Sequence, residues 1–239
     1  MPIATVRPLT QKTLALAARE LAARDELFAA IHATYGDPPL WQRATGFRTL
    51  VHIILEQQVS LSSAKSMLLR LEGAIQPFTP ERFLELGEDY LRGLGVTRQK
   101  SAYLLHLAES IVSGRLSLRG LARLSDDQVL VRLTEIKGIG LWSANIYLLM
   151  ALRRADIWPA GDLALAVAVR ELKGLSGRPS PEQLVQIAEQ WRPYRAVAAR
   201  MLWQYYLGRK QLTSQSSTQS SSVSALSTAC CPERSPSST

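Results

Sequence analysis

Cysteine is nearly absent from this chain: the only two, Cys230 and Cys231, are neighbours close to the C-terminus. They supply neither a disulfide framework nor the four ligands of an iron–sulfur cluster, so no such cluster is expected and the fold must rest on packing. Long hydrophobic runs are lacking too. The longest, Ala144 to Leu152 with one asparagine, falls far short of the roughly 20 residues that cross a bilayer and ends at Arg153 and Arg154. The N-terminus, MPIATVRPLTQKTLALAARELAARDELF, alternates apolar and charged residues and lacks the compact apolar core of a signal peptide. Neither export nor a membrane-spanning segment is expected, and a cytoplasmic location follows by default. Acidic residues are also in short supply. The 239 residues include 28 lysines and arginines against 20 aspartates and glutamates, a net charge of +8. That balance favours polyanionic partners, nucleic acid or an anionic membrane surface, without choosing between them.

The chain is 46% apolar, enough for a substantial core in one large domain or two small ones. No stretch alternates polar and apolar residues long enough to argue for a sheet. LALAVAVREL is the nearest to a strand, but its alanines and the aspartate before it favour a helix. TLALAARELAARDELFAAIHATYG, GFRTLVHIILEQQV and SAKSMLLRLEGAI carry apolar residues at helical spacing. Thr79 before Pro80 marks one helix start, and Ser125 with Gln128 three residues on forms a capping box at another. At least eight helices are expected, and the architecture is read as all-α. From about Gln211 serine and threonine dominate, with too little apolar content to fold. The expected organisation is a helical domain over 1–210 followed by a disordered tail over 211–239.

Two segments echo one another. YLRGLGVTRQKSAYLLHLA (Tyr90 to Ala108) and LTEIKGIGLWSANIYLLMA (Leu133 to Ala151) each set two glycines, two positions apart, between apolar helical stretches, and both read as helical hairpins. In the second, Gly138 and Gly140 accept backbone angles closed to other residues and leave nothing to block an approaching group. A helix then begins near Leu141, with its first N–H groups turned outward and suited to a phosphate. A hairpin packed tightly for structural reasons alone has the same sequence. Twenty residues past Trp142, DIWPAGDLALAVAVREL places Pro159 in a turn and Asp162 at a helix start, where aspartate is ordinarily an N-cap.

Together these segments resemble the helix-hairpin-helix (HhH-GPD) DNA glycosylases, whose motif is a hairpin like LTEIKGIGLWSA over about 125–153, a proline-containing loop and an essential aspartate at this spacing. The resemblance spans most of Thr45 to Gly208, through IILEQQVS and WRPYRAVAARMLWQYY, and runs closest to the DNA-3-methyladenine glycosylase II, or alkylation-repair, branch. It implies a multi-helix fold of two helical subdomains flanking a cleft, and a monomer acting on double-stranded DNA that contains damaged bases. Such an enzyme extrudes its target base before cutting the bond to the sugar. The DNA backbone would rest on N–H groups around Gly138, Ile139, Gly140 and Ser143, helped by Lys137. Hairpins of the family often hold a sodium or potassium ion on main-chain oxygens, here those of Thr134, Ile136 and Ile139; no other cofactor is implied. Gln58 matches the wedge that fills the gap left by the base. Trp142 and Trp203 match aromatic positions of the base pocket, where an indole face attracts a positively charged alkylated purine. A bacterial member carries a tyrosine matching Ile146, so this pocket has one aromatic wall fewer, and a deaminated or etheno purine stays open as an alternative to the alkylated base. Asp162 would stabilise the oxocarbenium-like sugar or orient the attacking water.

Relatives that also cut the strand use a lysine where this chain has Trp142, which favours a one-step reaction with water. A non-catalytic DNA-binding module would need the hairpin but neither the aspartate nor the aromatic positions. The longer bacterial relative has a β-rich domain ahead of the helical region, for which too few residues are present here. A chain ending at Lys210 is expected to unfold at the same temperature as the full chain, within about 2 °C, because the composition beyond it supports no packed element. Thermal denaturation of the two proteins side by side checks this.

Overall fold

The computed structural model describes residues 8–224, with side chains to residue 209; Cys230, Cys231 and the end of the serine-rich segment lie outside the described residues. Twelve helices and no strand occur among those residues: α1 (Gln11–Arg24), α2 (Glu26–Tyr35), α3 (Phe47–Glu56), α4 (Leu61–Ala74), α5 (Pro80–Gly93), α6 (Arg98–Val112), the single turn α7 (Leu118–Leu121), α8 (Asp126–Thr134), α9 (Leu141–Met150), α10 (Leu163–Leu172), α11 (Pro181–Glu189) and α12 (Arg195–Ser224). The chain is all-α, as its lack of alternating segments implies.

Local chemistry sets the boundaries. The hydroxyl of Thr79 accepts from the Arg82 N–H ahead of Pro80, and Ser125 and Gln128 cap one another reciprocally at the start of α8. LALAVAVREL is helical because Asp162 caps it, its carboxylate accepting from the Leu165 N–H. The stretch over 13–36, uniformly helical by periodicity, is broken in two at Asp25. That residue is extended (φ −143°), its carboxylate caps α2 through the Leu27 N–H, and its other oxygen accepts the indole N–H of Trp191. A long-range partner therefore chooses where the first helix stops. At the other end α12 continues to Ser224, beyond the boundary near residue 211 that composition suggested. A helix already nucleated by packed residues adds further turns at little cost, whatever their polarity.

Two groups of helices result. α3 packs on α4, α6 and α9, while α5 pairs with α6 and α8 with α9; α1 and α2 instead pair with each other and with α12, which also carries α10. α3 is the axis of the first group, with all but Arg48 and His52 of its ten residues buried. Phe47, Phe78 and Phe83 close one end, with edge-on contacts at 5.0 Å from Phe83 to each of the others. Such contacts add about 0.5–1.5 kcal/mol beyond burial.

A polar seam joins the groups. Backbone N–H groups of Leu9, Arg43 and Ala196 donate to the carbonyls of Arg153, Met150 and Ala155 at 2.8–3.0 Å. At its centre lies Arg200, fully buried on α12. Its guanidinium donates to the carbonyls of Leu40 (3.0 Å), Ala196 (2.9 Å) and Leu149 (2.7 Å), so one side chain holds the approach to α3, the end of α9 and α12. Burial lowers its pKa to about 10, which leaves it charged at neutral pH. Arg200→Met fills the same space but strands the Leu40 and Leu149 carbonyls, at roughly 1–3 kcal/mol each. A loss of about 2–5 kcal/mol is expected in urea unfolding, with the slope unchanged.

Candidate active site and nucleic-acid interface

Between the two groups of helices runs a cleft of about 1820 Å³. It exceeds the roughly 300–1,000 Å³ typical of small-molecule pockets and suits a base with part of the polymer that carries it. The turn after α3, one face of α6, the α8–α9 turn, the start of α10 and one face of α12 line it.

Asp162 is where three elements meet. One carboxylate oxygen, Oδ2, accepts the indole N–H of Trp142 on α9 at 3.0 Å. The other, Oδ1, accepts the indole N–H of Trp203 on α12 at 3.1 Å and the backbone N–H of Leu165 at 3.0 Å. Three residues singled out from sequence thus lie in one hydrogen-bonded group. What the sequence does not reveal is that both tryptophans, besides lining the cleft, hold the carboxylate through their indole N–H groups. Three of the roughly four acceptor positions of a carboxylate are occupied, which fixes its plane and leaves about one for another donor. Ile146 lies one turn along α9 from Trp142, buried but lining the cleft. Trp41, which no motif marks, also lines it, and its ring meets that of Trp203 edge-on at 6.3 Å.

The hairpin is built from α8 and α9. Gly138 has φ +91°, and a Cβ there would lie 2.2 Å from Cγ of Tyr103, so α6 packs directly on the glycine. Gly140 differs. Its φ is −86°, a Cβ there would meet nothing within 4 Å, and it begins α9 without any side-chain cap. Its space and backbone make no demand for glycine in the folded chain. Ile139 between them is buried, whereas Lys137 is exposed and donates its backbone N–H to Nδ1 of His106 at 3.1 Å, which fixes that ring as an acceptor on this side.

The hairpin is tied to the turn after α3. Gln57 Nε2 donates to the Gly138 carbonyl at 2.8 Å and to the buried Ser143 hydroxyl at 3.0 Å. The Lys100 ammonium donates to the carbonyls of Leu55 (2.7 Å) and Gln57 (2.9 Å), placing a positive charge at the C-terminal end of α3. Burial pushes the Lys100 pKa below the usual lysine value. Gln58 follows, exposed at the rim of the cleft with a left-handed φ of +58°. Gln57, Lys100, Tyr103 and His106 were not foreseen: each acts across the fold, and only the echo between the hairpins hinted at α6. The structure puts that echo in register as Gly95 with Gly138, at φ +94° and +91°. Thr97 therefore corresponds to Gly140, and its hydroxyl caps α6 through the Lys100 N–H. One hairpin closes its helix end with a side chain and the other leaves it open.

Thr134, Ile136 and Ile139, whose main-chain oxygens the family resemblance implies for a cation, all border the cleft at the end of α8 and in the turn to α9. Among the described residues no group of three or more histidine, cysteine, aspartate or glutamate side chains is placed to hold a metal. Nor is any helix there long and apolar enough to cross a membrane.

Residues 51–193 match the HhH-GPD superfamily of base excision DNA repair proteins. The chain is 30% identical over 161 residues to DNA-3-methyladenine glycosylase 1 of Schizosaccharomyces pombe, covering 66% of this chain and 71% of that one. It is 26% identical over 168 residues to DNA-3-methyladenine glycosylase 2 of Escherichia coli, and spans only 56% of that relative's length. Among solved structures it is similar to the S. pombe 3-methyladenine DNA glycosylase in complex with abasic DNA, with a TM-score of 0.74 and 28% identity over 79% of this chain and 95% of the other.

The two hairpin glycines should respond differently to alanine. Gly138→Ala forces Tyr103 aside at a left-handed φ and is expected to cost on the order of 2 kcal/mol or more. Gly140→Ala, in open space at an ordinary φ, should stay within about 0.5 kcal/mol of the parent. Chemical denaturation of both variants measures the contrast.

Proposed function

We propose, because this chain belongs to the HhH-GPD superfamily of base excision DNA repair proteins, that it is a monofunctional DNA glycosylase hydrolysing the N-glycosidic bond of alkylated purines of the 3-methyladenine type. The observation that carries this reading is Asp162, a carboxylate oriented by two indole N–H groups at the wall of a cleft wide enough for an extruded nucleotide. The names of the relatives support the substrate class.

Three tasks divide among the residues. The uncapped start of α9 at Gly140, with Gly138 and Ser143 supplying backbone N–H groups and Lys137 nearby charge, holds the DNA backbone without reading its sequence, whereas the Ile139 N–H, expected to join them, is spent on the Ile136 carbonyl at 2.9 Å. Gly140 fits this role because its missing side chain leaves the N–H groups open. The donor set of Thr134, Ile136 and Ile139 is uncharged carbonyl oxygen, which suits a sodium or potassium ion rather than a transition metal. Such an ion would add positive charge beside the phosphate. Gln58, exposed on its left-handed turn at the rim, fills the gap left by the extruded base. Gln57 and Lys100 hold that turn against the hairpin, so wedge and backbone grip keep a fixed separation.

The base then lies among Trp142, Ile146 and Trp203. An alkylated purine carries positive charge and leaves readily, so no strong general acid is required. Asp162 stabilises the positive charge growing on the sugar, and its remaining acceptor position can orient a water toward the anomeric carbon. Trp142 occupies the place of a lyase's lysine. Of the two lysines that line the cleft, Lys100 is engaged with two carbonyls. The protein works as a monomer on duplex DNA in the cytoplasm.

Asp162→Asn keeps the shape and removes the charge. It is expected to slow base release by roughly 10²–10³-fold while binding lesion DNA within about threefold of the parent. Release at the parent rate would remove Asp162 from the chemistry, and binding lost along with activity would mark it as a structural cap. The same products run with and without alkali should show intact abasic strands until alkali is added. Breaks without alkali, with a borohydride-trapped adduct lost in Lys100→Met or Lys137→Met, would make the enzyme a lyase.

A further inference from the structure

Trp41 lies between α2 and α3, outside the residues that match the family. Its backbone is left-handed, φ +44°, a conformation in which a bulky L-residue is strained. The chain is clamped on both sides of it. The Leu40 carbonyl before it is held by the buried Arg200 guanidinium at 3.0 Å. After it, the Arg43 N–H donates to the Met150 carbonyl at 3.0 Å, and the Arg43 guanidinium forks onto Glu56 at 2.8 and 2.7 Å. Glu56 is itself buried on α3. These contacts keep the segment from relaxing, and the ring they present is half-buried and lines the cleft.

A tryptophan that merely filled the core would need neither the strain nor the partial exposure. Its nearest aromatic neighbour is informative too. Trp203, edge-on to Trp41, turns its N–H edge to Asp162. Trp41 therefore continues the aromatic lining from Trp203, the indole that holds the Asp162 carboxylate.

We infer that Trp41 is a wall of the base pocket, an indole that captures a flipped, positively charged purine. The inference rests on the glycosylase reading and deepens it. Attraction between a cation and an indole face grows when both are desolvated, and the half-buried Trp41 ring on the cleft wall is partly shielded from water already. Because it touches the base alone, Trp41 should matter only while a base is present.

The test compares the full chain with Trp41→Ala, Trp41→Gly and Trp41→Phe on DNA methylated to carry cationic purines, measuring single-turnover release and binding to a duplex with a stable abasic-site analogue. Trp41→Ala and Trp41→Gly should release bases about tenfold more slowly, and Trp41→Phe should recover most of that loss. All should bind the abasic duplex within about twofold of the parent. Glycine should tolerate the left-handed backbone better than alanine, raising the melting temperature without restoring the rate. Parent-like release by Trp41→Ala and Trp41→Gly, or a joint loss of release and abasic-DNA binding, overturns the inference. If the parent chain itself releases no methylated base, the glycosylase reading fails first and the inference falls with it.

Discussion

The cleft exists because one buried charge must be satisfied. A guanidinium removed from water without partners would cost several kcal/mol, and Arg200 meets that demand with carbonyls rather than with a carboxylate. Carbonyls free to accept are found at helix ends and in loops, so the charge draws the segment before α3, the C-terminal end of α9 and the body of α12 to one point. The two helical groups are thereby fixed along a seam, and the space beyond that seam is the cleft. The same arrangement sets the direction of α9, whose first turn carries Trp142 and whose Leu149 carbonyl, near its end, Arg200 grips.

Order within the site follows a second convergence. Asp162 lies at the junction of α9, α10 and α12 and accepts a hydrogen bond from each. A carboxylate that only capped α10 could swing with its loop, whereas one held by two indoles from packed helices has its plane set by the core. Rigidity of the Asp162 carboxylate thus comes from side chains that also line the cleft, so the shape of the cleft and the placement of the charge are not independent properties.

Features determined by near neighbours were legible in the sequence. The caps at Thr79, Ser125 and Asp162, the glycine hairpin and the helical character of LALAVAVREL all depend on interactions within about four residues, and the structure has each of them. Asp162, Trp142 and Trp203 could be named because the resemblance to the glycosylase family marks their positions; residue by residue they read as a cap and two core aromatics. What escaped was decided at long range. Asp25 divides a helical stretch because Trp191, far along the chain, reaches back to it. Lys100, Gln57 and Tyr103 act through carbonyls, a hydroxyl and a glycine in distant elements, and nothing in their local sequence distinguishes them from surface residues. Trp41 escaped for another reason: its importance lies in a backbone angle, to which periodicity and composition are blind.

The two glycine hairpins, alike in backbone yet opposite in how their second helices begin, carry a consequence for how the chain can be addressed. Were both helix ends open, a polyanion could settle on either. Thr97 closes the α6 end with its own hydroxyl, and Gly140 leaves the α9 end bare. On the proposed reading, a duplicated shape thereby becomes a single landing place for the strand, set at one separation from Asp162.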